Sequence, residues 1–102
     1  MERHLTSVHN PLIKEILHLR ERHERNRTGL FLIEGYREIL RATDAGWKIE
    51  TLICCSDLFL GSNEHALIDR LASRGTTIIT CSDKVFHKAS YRDRPDGLLA
   101  LA

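Results

Sequence analysis

Four short apolar runs constrain what this chain can fold into more than any other feature. They are Leu30-Phe31-Leu32-Ile33, Ile49 to Cys55, Thr77 to Cys81, and the closing Leu98-Leu99-Ala100-Leu101-Ala102. Each has strand length, and a run as apolar as the first must be covered on both faces. Segments of helical period separate the runs. Apolar strands alternating with helices predict an α/β fold, a three-layer sandwich in which a four-stranded sheet carries helices on both faces. At 102 residues there is material for one core, so residues 1–102 are read as a single domain.

The helices follow from punctuation and period. Asn10-Pro11 opens the first, Asn capping free amides and Pro occupying the first turn. Leu12, Ile16 and Leu19 then recur on one face, and the helix frays near Asn26 to Gly29. After the turn at Glu34-Gly35 a second helix turns Tyr36, Ile39, Leu40 and Thr43 inward and stops at Gly46. A third is capped by Ser62 or Asn63, buries Leu67, Ile68 and Leu71, and ends at Gly75. Ser82-Asp83 starts a fourth that runs to about Ala89. Arg94-Pro95-Asp96-Gly97 is a turn, with Pro presetting one dihedral and Gly supplying the reverse one. The chain stops inside its last apolar strand, which predicts a parent protein that continues past Ala102.

Signatures of catalysis are missing. No GxGxxG follows a strand, and there is no GxxxxGK[ST] loop and no HExxH. The cysteines, Cys54, Cys55 and Cys81, are odd in number and lack CxxC spacing, so they are read as small buried hydrophobes. His18 and His23 lie about 140° apart on one helix, too divergent to share a metal ion. Glu34 has no nucleophile beside it and is read as a carboxylate satisfying free amides at a helix N-terminus. The start, Met1-Glu2-Arg3-His4, leads into polar sequence and no run approaches bilayer length, so the expected setting is the cytoplasm, with no membrane partner.

Charge is informative through its placement. The net charge is +1, yet Arg20, Arg22, Arg25 and Arg27 crowd into eight residues against Glu21 and Glu24. Eleven of the fifteen basic residues are Arg, whose planar fork suits phosphate and base edges. Two further segments suit nucleic acid. At Glu34-Gly35-Tyr36-Arg37 a glycine permits close backbone approach, helix amides point outward and Arg37 adds a fork. Lys88 to Arg94 is a basic loop holding Arg92 and one aromatic, Tyr91, able to stack on an unpaired base. Each also fits an ordinary solvated helix face, turn or loop.

Taken in order, these segments resemble a known family. Thr6 to Lys14, the stretch Arg27-Thr28-Gly29-Leu30-Phe31-Leu32-Ile33-Glu34-Gly35-Tyr36-Arg37-Glu38, and Pro95 to Ala102 are similar to the N-terminal substrate-binding domain of SpoU/TrmH-type RNA 2′-O-ribose methyltransferases. The resemblance spans residues 4–102 and is most specific at its middle stretch. It implies the fold of small ribosomal and kink-turn-binding proteins, a mixed sheet between helices, with RNA contacts at Glu34, Gly35 and Arg37 flanked by Arg20, Arg22, Arg25, Arg27 and Arg92. It also implies a structured ribosomal or transfer RNA partner. S-adenosylmethionine would bind a separate catalytic domain, C-terminal to Ala102, that forms a homodimer. The family's catalytic motifs are absent here, so the 102 residues alone are expected to be inactive and to bind no cofactor. The alternative is a stand-alone ribosome-associated or kink-turn RNA-binding protein.

Overall fold

The computed structural model describes residues 3–102. Its elements are β1 (Arg3–Leu5), α1 (Pro11–His18), α2 (Arg22–Thr28), β2 (Leu32–Glu34), α3 (Tyr36–Asp44), β3 (Thr51–Cys54), α4 (Glu64–Ser73), β4 (Thr77–Cys81), α5 (Asp83–Ala89) and β5 (Leu98–Leu101). A 3-10 turn, Ser56–Leu58, follows β3.

The sheet is mixed, in the order β1-β4-β3-β5-β2. β4 runs parallel to both β1 and β3, whereas β5 runs antiparallel to β3 and β2. Alternate residues of β5 serve opposite layers. Leu99 and Leu101 pack with Ile13, Ile16 and Leu19 from the α1 side and with Val85 and Phe86 of α5. Leu98 and Ala100 pack with Ile39 of α3 and with Leu67 and Leu71 of α4. The three-layer sandwich is as the sequence predicts, because a central strand apolar at every position needs a helical cover on each face. The cysteines are free and buried, and desolvation of the thiolate pushes Cys54 up to about 11 and Cys81 to about 12.

Four details differ from the sequence reading. The sheet has five strands among the described residues rather than four. The extra one, β1, is an exposed edge with the polar face of Arg3 and His4, so no apolar pattern announces it. It is held by pairing with β4 and by a 2.8 Å hydrogen bond between the His4 ring Nδ1 and the Thr80 hydroxyl. The first helix is two. Glu21 is extended (φ −88, ψ 130), and Arg25 Nη1 donates to the carbonyls of Leu19 (3.0 Å) and Arg20 (2.7 Å), oxygens that a continuous helix would use internally. α2 buries no residue, so no apolar stripe favours continuing α1's axis.

The third difference concerns Leu30 to Ile33. The ladder falls at Leu32–Glu34 on the sheet edge, and Leu32 and Ile33 are only half-buried, since β2 has one neighbour. Last, neither Ser62 nor Asn63 caps α4 with its side chain. Glu64 Oε2 folds back to accept the amides of Leu60 (3.1 Å) and Gly61 (3.0 Å). Asn10 and Ser82 do cap α1 and α5, accepting from Leu12 and Val85.

Candidate nucleic-acid interface

The site is assembled around the turn from β2 to α3. Glu34 ends β2 with its side chain 1% exposed. A buried carboxylate needs donors, and the loop after α5 supplies them. The Ser90 hydroxyl donates to Glu34 Oε2, and the Tyr91 amide donates to Oε1 at 3.2 Å. Ser90 Oγ in turn accepts the Arg92 amide at 3.0 Å. The Glu34 carbonyl accepts from Arg92 Nη2 at 2.8 Å. One residue of β2 thus clasps three successive residues more than fifty positions away.

Gly35 is required by that clasp. Its φ is +106, and a Cβ built there would stand 2.5 Å from Arg92 Nη1. To admit a Cβ the Arg92 guanidinium would have to swing aside and give up the Glu34 carbonyl, and the positive φ by itself favours glycine. The Gly35 amide donates to the Leu98 carbonyl (3.0 Å), and Asp96 Oδ2 accepts the Tyr36 amide (2.8 Å). The carboxylate on α3's free amides is therefore Asp96, not Glu34 as the sequence suggested, because Glu34 points into the layer beneath the 90–92 loop.

The arginine-rich segment joins the same assembly. Arg20 Nη2 donates to the carbonyls of Ala89 (2.9 Å) and Ser90 (3.0 Å), satisfying the C-terminal end of α5. The three basic segments separated in sequence therefore meet. Beside them, Leu19, Arg20, Arg25, Phe31, Leu32 and Tyr91 line a shallow cavity of ≈ 380 Å³. Tyr91 is 57% exposed, leaving its ring open to a stacking partner.

The eight residues expected to contact RNA separate by role. Glu34 is buried, and its carboxylate holds the loop. The guanidinium groups of Arg20 and Arg25 are already bound to main-chain carbonyls, and Arg92 lies against Gly35 with a bond to the Glu34 carbonyl. These three arginines share one circumstance. A cation near exposed carbonyl oxygens is held by them, whatever the local sequence suggests. Arg22 and Arg37 are exposed and make no ion pair or side-chain hydrogen bond among the described residues. Arg27 is exposed and paired with Glu24 (2.6 Å), whose carboxyl it holds below the usual range; solvent screens such a pair and leaves it exchangeable. Ser90 and Asp96 were missed. A Pro-Asp-Gly turn was the only local sign of Asp96, and Ser90 had none.

A family model described as the MRM3-like substrate binding domain matches residues 10–100. No curated protein matches the chain. Among solved structures, an rRNA methyltransferase from Sinorhizobium meliloti is similar over 98% of this chain and 36% of its own, at 27% identity and a TM-score of 0.82. An RNA 2′-O ribose methyltransferase is 38% identical over 96% of this chain and 36% of its own, also with a TM-score of 0.82. The SpoU methyltransferase AviRb from Streptomyces viridochromogenes shares the fold at 24% identity, over 90% of this chain and 32% of its own, with a TM-score of 0.73. The chain spans about a third of the length of these proteins.

Proposed function

The chain belongs to the MRM3-like substrate-binding domain family, and on that premise we propose that it is the RNA-recognition domain of an RNA 2′-O-ribose methyltransferase acting on ribosomal or transfer RNA. The observation that carries this reading is the Glu34 clasp. It sets a glycine turn, the start of α3 with Arg37, and the Tyr91 loop side by side, next to the arginines of α2. Phosphates are held by Arg22, Arg27 and Arg37, whose forks are free or exchangeable. Tyr91 offers its ring to an unpaired base, with Arg20 and Arg25 forming the cationic wall of the cavity beside it. Glu34, Gly35 and Arg92 position these groups.

The same reading places methyl transfer elsewhere in the parent protein. S-adenosylmethionine supplies the methyl group in such enzymes, and the residues present do not fit it. The two buried glycines, Gly35 and Gly97, face Arg92 and the Cys55 carbonyl rather than open space where a nucleotide could approach the backbone. A catalytic domain C-terminal to Ala102, dimerising through itself in the cytoplasm, would bind the cofactor. Titration calorimetry of S-adenosylmethionine into the 102 residues is expected to show no saturable binding. A micromolar isotherm would reassign the cofactor to this domain.

Contacts to phosphate release counterions, so affinity for an RNA hairpin should fall with salt, by roughly 0.7 log units per log unit of salt for each contact on single strands. Fluorescence anisotropy across a salt series is expected to show the Arg22→Ala/Arg27→Ala pair flattening that slope by about 1.4. Neither substitution removes a buried contact, so circular dichroism should be unchanged. A slope equal to wild type would take α2 out of the interface, and affinity independent of salt in the wild-type protein would sink the RNA reading itself.

A further inference from the structure

Helices α1 and α5 pack together over one face of the sheet, with Ile13 and Ile16 set among Val85, Phe86 and Ala89. Outside that seam lies a groove of ≈ 580 Å³. Lys14 and Leu17 of α1 form one wall, Lys84, His87 and Lys88 of α5 form the other, and Val8 and His9 close it. On α5 the three basic residues stand at i, i+3 and i+4, so they share one face. All five basic side chains are exposed, whereas Val8 and Leu17 are half-buried and pack against the core. Among the described residues no carboxylate lines the groove. The ion pairs among those residues are His23–Glu24, Arg27–Glu24 and Arg70–Asp44. Glu15 and Asp83, the chain neighbours of Lys14 and Lys84, therefore pair with neither.

Like charges one turn apart on a helix cost stability, so a cluster of lysines with no counter-charge suits an anion from outside. Lysine is a mobile point charge that meets phosphate without fixed geometry, and such contacts position a nucleic acid without reading its sequence. The floor favours a polymer over a lone ion, since Val8 and Leu17 offer apolar surface to ribose carbons while the rims meet phosphates. The groove also leads into the cavity beside Tyr91. Arg20 follows Leu17 by three residues, Tyr91 follows Lys88 by three, and both line that cavity. Arg20 Nη2 ties the two walls together through the Ala89 and Ser90 carbonyls. We propose that the groove holds the sugar–phosphate backbone of the RNA strand leading away from the base at Tyr91, with Lys14, Lys84 and Lys88 on its phosphates. The inference rests on the RNA-binding reading above and extends the contact along α1 and α5. No local cluster announced it, because Lys14 and Lys84 are seventy positions apart.

The probe is an RNA hairpin with a single-stranded tail, followed by fluorescence anisotropy across a salt series. Each phosphate contact on a single strand adds roughly 0.7 to the log–log salt slope, so Lys84→Ala/Lys88→Ala should flatten it by about 1.4. Combined with Arg22→Ala/Arg27→Ala, the loss should reach about 2.8, since the two clusters share no partner. Both lysines are exposed and alanine suits a helix, so circular dichroism should be unchanged. Lys48→Glu is the control. It lowers the net charge by the same two units at an exposed position between α3 and β3, and should leave the slope at its wild-type value. A wild-type slope in the lysine pair, with the arginine pair still flattened, would overturn the groove and leave RNA binding intact. Equal flattening by Lys48→Glu would overturn it too, because net charge rather than place would then be felt. Polyglutamate of matched charge binding as tightly as the RNA, with the same dependence on Lys84 and Lys88, would assign the groove to an acidic protein segment instead. Affinity independent of salt in the wild-type protein would remove both proposals.

Discussion

Leu99→Ala is expected to lower the stability of the fold by about 2–5 kcal/mol, the range for truncating a fully buried leucine. Leu99 has no exposed surface and sits in β5, between Ile53 of β3 and Glu34 of β2 in the ladder. Its side chain enters the layer built by Ile13, Ile16, Val85 and Phe86. Four neighbours of that size on two helices cannot all collapse into the space left behind, so most of the cavity remains. With a urea dependence of roughly 1–3 kcal/mol per molar, the denaturation midpoint should fall by about 0.7–5 M. Leu60→Ala is the control: Leu60 is 84% exposed, and its loss should move stability by no more than about 0.5 kcal/mol. Equal midpoints for the two variants would show that β5 is not a central core strand. The same substitution should also loosen the site, because Leu99 and Glu34 are register partners.

Gly97→Ala should be of similar size for a different reason. Gly97 has φ +87, a conformation that costs an alanine about 1–2 kcal/mol. An alanine Cβ would also collide with the Cys55 carbonyl oxygen and stand 2.9 Å from Phe59 Cδ1. A side chain could swing away, but the Cys55 oxygen belongs to a main chain already tied to Gly97, whose carbonyl accepts the Cys55 amide (2.9 Å). Relief requires the entry to β5 to separate from the end of β3, and the total should reach about 3 kcal/mol or more. Gly46→Ala separates the two causes. Gly46 has φ +82, and a Cβ added there would meet nothing within 4 Å, so it should cost only the conformational part. Thermal or urea unfolding of both variants measures the difference. If Gly97→Ala costs no more than Gly46→Ala, the close approach of Gly97 to β3 is wrong.

How much of this was legible beforehand varies by element. β4 at Thr77–Cys81, α5 at Asp83–Ala89 and β5 at Leu98–Leu101 fall where the apolar runs and the Ser82 cap put them. α3 starts at Tyr36 and gives way to Gly46 as its punctuation implied. β1 escaped notice because an edge strand with exposed side chains has no pattern to read; its partner β4 selects it. The break between α1 and α2 escaped because Arg25 reaches back to two carbonyls, a choice invisible in a run of charged residues with good helix propensity.

The site divides along the same line. The resemblance and the local clusters of charge pointed to Arg22, Arg27 and Arg37, and these are exposed. They could not say that Arg20, Arg25 and Arg92 are held by the main chain, that Glu34 is buried, or that Glu64 and Asp96 share a pocket. What the sequence by itself determined is where the inner strands, most of the helices and the Asn10 and Ser82 caps lie, since apolar period and capping act between residues a few positions apart. Only the tertiary structure decided which polar groups meet. Glu34 finds Ser90 and Tyr91, and Tyr36 finds Asp96, across 56 to 60 residues. Such pairs form because burying a polar group without a partner is costly, and the sheet order, not the local sequence, sets which partner is within reach.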